Sequence, residues 1–90
     1  MRRVHIFISG KVQGVGYRFY MKRKAEELNI NGSVQNTHDN SVEAVAEGED
    51  EAIQEFIRHL RKGPFMAKIE KIDIQEEKPE GDLSSFDVFY

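Results

Sequence analysis

The chain of 90 residues contains no cysteine, no tryptophan and only two prolines. Without thiols it has no disulfide framework, no thiolate nucleophile, no zinc ribbon and no iron–sulfur ligation. No stretch approaches the run of about 18 apolar residues that a membrane span needs. The opening Met1–Gly10 run is broken by His5 and Ser9 and is too short for a signal-peptide core. The cytoplasm is therefore the expected location, with no membrane partner. Excess charge is also small: 13 Lys and Arg against 16 Asp and Glu give a net charge of −3. Such a balance gives no general attraction to polyanions, so nucleic acid is not an expected partner. What remains is an ordinary globular composition, 39% hydrophobic and 32% charged, at a length that allows one domain over residues 1–90.

Val4, Ile6 and Ile8 alternate with His5, Phe7 and Ser9, a period of two that predicts a strand over Arg3 to Ser9. The segment Gly10 to Gly16 holds three glycines in seven residues and is expected to be a loop of specific shape. Tyr17, Met21, Ala25 and Leu28 then mark an amphipathic helix from Tyr17 to about Asn29. Gly32 opens a second strand through Val34 and Asn36; His38-Asp39-Asn40-Ser41 suits a hairpin turn, and Val42, Ala44 and Ala46 form the returning strand. Glu49-Asp50-Glu51 begins a second helix, whose buried stripe is Ile53, Phe56, Ile57 and Leu60 and whose end is Lys62-Gly63-Pro64. Ile69, Ile72 and Ile74 mark a strand with a bulge or bend where their spacing changes, and Phe86, Val88 and Tyr90 mark a short last one. The order is βαββαβ plus a short C-terminal strand. This predicts an α+β fold of the ferredoxin-like, split βαβ type, with two helices on one face of an antiparallel sheet.

The loop Gly10 to Gly16 leads from a strand into a helix, whose first turn carries Arg18. Unpaired amides at a helix start favour an anion, glycines let successive N–H groups point inward, and a guanidinium adds paired charge-assisted bonds. That combination invites a phosphoryl group. The known nucleotide loops do not match: no GK[ST] follows the glycines, and the spacing is not G-x-G-x-x-G. The remaining polar features have simpler readings. His5, His38 and His59 fall in a strand, a turn and a helix without metal-ligand spacing. Lys22-Arg23-Lys24 reads as a solvated helix face, Tyr17 as core, and Glu76 and Glu77 as neighbours pointing to opposite faces of a strand.

Gly10-Lys11-Val12-Gln13-Gly14-Val15-Gly16-Tyr17-Arg18 closely resembles the G-x-V-Q-G-V-x-[FY]-R signature of the acylphosphatases, with nine consecutive positions in agreement. A second family block, G-[aromatic]-V-x-N-x-x-x-G-x-V with a glycine six residues later, resembles Gly32 to Val42 and Gly48. Gly63-Pro64, with Ala67 and Ile69 after it, is also similar to the family, so the likeness spans nearly the whole chain. Ser33 stands where the family usually has a large aromatic, and Asn40 replaces the usual turn glycine. Asparagine is the next most tolerant residue for positive φ, so the hairpin is expected to keep its path.

The resemblance implies a small acylphosphatase, a hydrolase that splits the carboxyl–phosphate mixed anhydride into a carboxylate and inorganic phosphate. It implies no metal, no cofactor and no covalent intermediate. Carried onto this chain, it assigns the phosphoryl group to Arg18 and to the backbone of Gln13, Gly14, Val15, Gly16, Tyr17 and Arg18. It assigns the orientation of the attacking water to Asn36, with Thr37 as a helper. The partners expected are a small acyl phosphate and inorganic phosphate as product and competitor, acting on a monomer. Two other readings stay open at this level. The fold also serves non-catalytic binding modules, although the strands VHIFIS and SVEAVAE lack the exposed aromatic pairs of an RNA-binding sheet. A carbamoyl-phosphate-handling module, as in the acylphosphatase-like domain of hydrogenase maturation proteins, belongs to a much longer chain; 90 residues favour a free-standing enzyme.

Overall fold

The computed structural model describes residues 1–89; Tyr90, assigned above to the last strand, lies outside the described residues. The elements are β1 (Arg2–Lys11), α1 (Tyr17–Glu27), β2 (Asn31–Asn36), β3 (Val42–Gly48), α2 (Asp50–Lys62), β4 (Lys68–Glu77) and β5 (Phe86–Val88). They form a five-stranded sheet in the order β4-β1-β3-β2-β5. Alternation dictates the faces: Val4, Ile6 and Ile8 of β1, Val34 of β2 and Val42, Ala44 and Ala46 of β3 are buried on one side. Met21 and Ala25 of α1 and Ile53, Phe56 and Leu60 of α2 close the same core. Both helices therefore cover one face, as the periodicity predicts.

Two expectations change. β1 does not stop at Ser9 but continues through Gly10 and Lys11, because β4 comes alongside. A Cβ on Gly10, at φ 127°, would lie 2.1 Å from the carbonyl oxygen of Lys68, so only glycine admits this approach. The register shifts there, pairing Ser9 with Lys71 and Gly10 with Ile69; Glu70 is the extra residue, which is the bulge read from the isoleucine spacing. The second change concerns the sheet. Its first four strands are antiparallel, but β5 runs parallel to β2, pairing Gly32 with Phe86 and Val34 with Val88, so the sheet is mixed rather than antiparallel. The reason is geometric. β4 finishes at the end of the sheet where β1 and β2 start, and a strand entered from that end must run with β2. The connecting loop crosses there and is fastened by Glu47, which is only 4% exposed and accepts bonds from the N–H groups of Glu80 and Gly81 at 2.8 and 3.2 Å.

At the opposite end, where β1 and β2 finish, α1 begins and α2 stops. Two phenols lock the helices there: Tyr17 Oη donates to the Leu60 carbonyl at 2.5 Å and Tyr20 Oη to the His59 carbonyl at 2.9 Å. The Leu60 carbonyl lies in the last turn of α2, where carbonyls lack an intrahelical partner, and the His59 carbonyl also takes the Gly63 N–H at 2.9 Å, so the two phenols fix the first turn of α1 against the end of α2.

Candidate active site

Topology brings three segments to that end: the loop between β1 and α1, the β2–β3 turn, and the residues after β5. In the loop, Gly14 and Gly16 have φ of 72° and 77°, while Val15 between them is not in the positive-φ region. Backbone of alternating hand turns successive N–H groups toward one concavity, which suits an anion. A Cβ on either glycine would meet nothing within 4 Å, so glycine is required by the backbone angle and not by crowding. Gly16 is the N-cap of α1 with no side-chain cap, and its carbonyl takes the Tyr20 N–H at 3.0 Å. Among the described residues, then, no side-chain cap bond closes the start of the helix.

Arg18, the second residue of α1, donates from Nη1 to the carbonyl of Phe89 at 2.7 Å. The Phe89 N–H in turn donates to the Val34 carbonyl at 2.9 Å, which extends the β2–β5 pairing past Val88. The guanidinium is therefore tied to β2, two residues from Asn36. Asn36 is the last residue of β2, pairs with Val42, and is exposed. Alternation from Val34 places it on the face that α1 covers, the side on which the loop lies.

The turn itself is fastened by Thr37. Its N–H donates to the Ser41 carbonyl at 2.9 Å, its Oγ1 accepts the Ser41 N–H at 3.1 Å, and its hydroxyl donates to the Asp39 carboxylate. The Thr37 hydroxyl holds the Asp39 carboxyl below the ordinary carboxylate range. Asn40 takes φ 66°, the positive angle expected of a residue standing in for glycine.

Gln13 connects loop and turn. Its Nε2 donates to the carbonyls of Thr37 and Ser41 at 3.1 and 2.9 Å. The sequence reading credits Gln13 with backbone alone; its side chain is the contact that reading missed, and the signal available was an amide at a fixed position of the signature. Phe89, whose carbonyl receives Arg18, carries no sequence signal, since any residue supplies a carbonyl.

Other predicted positions lie apart. Ser33 is on the uncovered face, in a shallow hollow with His5, Val45 and Phe89. His5 bridges the carboxylates of Glu43 and Glu77 at 2.6 and 3.1 Å on that same face, and His59 lies 3.4 Å from Glu55. Among the described residues no helix is long and apolar enough to cross a membrane.

The family model for acylphosphatases matches residues 4–88. An acylphosphatase from Roseiflexus sp. (strain RS-1) is 41% identical over 90 residues, covering 100% of this chain and 97% of its own. One from Thermus thermophilus is 42% identical over 89 residues, covering 99% and 100%. The crystal structure of acylphosphatase from Bacillus subtilis superposes with a TM-score of 0.96 at 31% identity, covering all of both chains. With the model spanning nearly the whole chain and the relatives matching it end to end, the chain belongs to the acylphosphatase family of enzymes.

Proposed function

We propose that this chain hydrolyses acyl phosphates by direct attack of water on phosphorus. The concavity formed by the backbone N–H groups from Gln13 to Arg18, with the Arg18 guanidinium, holds the phosphoryl oxygens. In phosphoryl transfer, positioning and stabilisation of charge on those oxygens supply most of the catalysis. Asn36 aligns the attacking water. An amide is not a base near neutral pH, so the water proton passes to a phosphoryl oxygen. The new P–O bond forms as the bond from phosphorus to the acyl oxygen breaks; the acyl half leaves as a carboxylate with that electron pair, and the phosphoryl half leaves as inorganic phosphate. A carboxylate is a good leaving group, which makes a strong base unnecessary. Thr37 helps indirectly, by holding the turn on which Asn36 sits.

The observation that carries this reading is the Gln13 side chain on the Thr37 and Ser41 carbonyls, which joins the anion loop to the turn beside Asn36. The test is phosphate release from benzoyl phosphate in EDTA by wild type, Arg18→Ala and Asn36→Ala. Arg18→Ala is expected to lose nearly all turnover and to weaken inhibition by phosphate. Asn36→Ala is expected to lower kcat far more than phosphate affinity. Equal loss of both in Asn36→Ala would overturn water orientation. No turnover by folded wild type would leave a phosphate-binding module.

A further inference from the structure

The charges of this chain are sorted along its strand axis. At the end where β1 starts, cations are neutralised: Arg2 pairs with Glu76 at 2.6 Å, and Arg3 with Glu77 and Asp82 at 3.2 and 3.0 Å. The same end holds Glu49, Asp50 and Glu51 at the start of α2 and Glu26 and Glu27 at the finish of α1. At the loop end cations outnumber the acids Asp39 of the turn and Glu70 of the bulge. Lys11, the last residue of β1, stands directly opposite Lys68, the first of β4. Both are exposed, and like charges in register across a sheet are destabilising. Arg61 and Lys62 finish α2 at this end as well. Among the described residues, Lys11, Lys68, Arg61 and Lys62 form no ion pair.

The arrangement of α1 sharpens the point. A helix is stabilised by acids in its first turn and bases in its last. α2 obeys this, with Asp50 and Glu51 first and Arg61 and Lys62 last. α1 has no acid in its first turn and carries Arg18 there; its last turn holds Lys24 beside Glu26 and Glu27, which pair with Lys22 and Lys24 at 3.3 and 3.7 Å. Because the helices are antiparallel, the basic last turn of α2 and Arg18 in the first turn of α1 place positive charge at the same end. Stability alone accounts for neither the cation in the first turn of α1 nor the opposed lysines.

We propose that Lys11 and Lys68 are capture residues: with the polarised charge of the fold, they draw the dianionic phosphoryl head of the substrate to the loop of a protein that is negative overall. The inference rests on the phosphoryl-binding reading above and adds that encounter and binding, not the chemical step, depend on these two side chains. Lys11 is two residues before Gln13 in the chain, so its ammonium is on the order of 10 Å from the concavity. At that range, low salt screens little and about 0.3 M salt screens most of the attraction to a dianion.

The test is kcat and kcat/KM for acetyl phosphate, and binding of inorganic phosphate, at about 10 mM and about 300 mM NaCl, a range over which the screening length falls several-fold. Lys11→Gln/Lys68→Gln is expected to keep kcat, to lose about five- to tenfold in kcat/KM and in phosphate affinity at low salt, and to come within about twofold of wild type at high salt. Lys11→Arg/Lys68→Arg is expected to restore the salt dependence, and Lys78→Gln, at the other end, to leave it unchanged. A double Gln variant whose salt profile parallels wild type, or whose kcat falls alike at both salts, overturns the proposal. Wild type that binds phosphate without hydrolysing acetyl phosphate overturns the enzyme reading instead, and the salt dependence of phosphate binding still decides for or against capture.

Discussion

Replacing Gln13 by alanine removes one side-chain amide and two hydrogen bonds, both to backbone carbonyls of the β2–β3 turn. A neutral bond of this kind contributes about 0.5–1.5 kcal/mol net. The contacts are part-buried, so water reaches the freed carbonyls and the expected loss of stability is about 1–2 kcal/mol. For a domain of this size that lowers Tm by about 5–15 °C, read by thermal denaturation. The catalytic consequence is separate. The amide is a direct side-chain link from the loop proposed to hold the phosphoryl group to the turn beside Asn36. Releasing it lets water and phosphorus drift out of line, and a drift of about 1 Å costs turnover by tenfold or more. Acyl phosphate hydrolysis by Gln13→Ala should therefore fall by at least about tenfold in kcat, with phosphate inhibition changed much less, since loop amides and Arg18 remain. A double-mutant cycle locates the effect. If Gln13 acts through Asn36, then Gln13→Ala in an Asn36→Ala background has little left to remove, and the coupling is about 1 kcal/mol or more. Additive losses, or a variant less stable but still within twofold of wild-type kcat, would refute the idea that this contact aligns the site.

Burial raises the Tyr17 phenol above its ordinary range near 10. A folded-state value above the unfolded one means that this contribution to stability is complete below pH about 10 and is lost as pH rises toward the folded-state value. Urea denaturation against pH should show wild type weakening above pH 10, and Tyr17→Phe, already weaker by about 1 kcal/mol for its lost bond to Leu60, weakening less steeply. An identical slope in both proteins would contradict this assignment. Ser33→Phe should fill the hollow of about 150 Å³ between His5, Val45 and Phe89, raising stability by about 1 kcal/mol through partial burial of the ring. Because Ser33 lies on the uncovered face, kcat should stay within twofold; a large loss of activity would show that this face communicates with the loop.

The elements were legible because each rests on a periodic signal. Val4, Ile6 and Ile8 alternate, Ile53, Phe56 and Leu60 recur at helical spacing, and both patterns end as buried stripes. Even the bulge at Glu70 was visible, as a break in the spacing of three isoleucines. The direction of β5 was not. Nothing in Phe86-Asp87-Val88 distinguishes parallel from antiparallel pairing; the outcome depends on which end of the sheet the preceding loop crosses, a property of the whole fold. The continuation of β1 through Gly10 was hidden for a related reason. Glycine is read as a breaker, yet here it is the residue that lets β4 approach. For the candidate site, the signature residues Gln13 and Arg18 are visible in the sequence, whereas their contacts end on carbonyls of Thr37, Ser41 and Phe89. A backbone acceptor leaves no trace in residue identity, so only the donor side of such a network can be inferred from sequence.

The two ends of the sheet answer to different demands. Where β1 starts, cations meet carboxylates, the buried Glu47 finds amide donors, and acids sit at the start of α2. Where β1 finishes, choices conflict. Two lysines face each other, and α1 carries a cation in its first turn. Like charges opposed at the end that carries the loop are the pattern expected when stability is given up for binding. The phenolic bonds of Tyr17 and Tyr20 to α2 lie at this end too, and so oppose the strain where it arises. On this view the anion itself completes the electrostatics of the fold. Phosphate should then raise Tm through binding to the folded state, following the saturation of its inhibition.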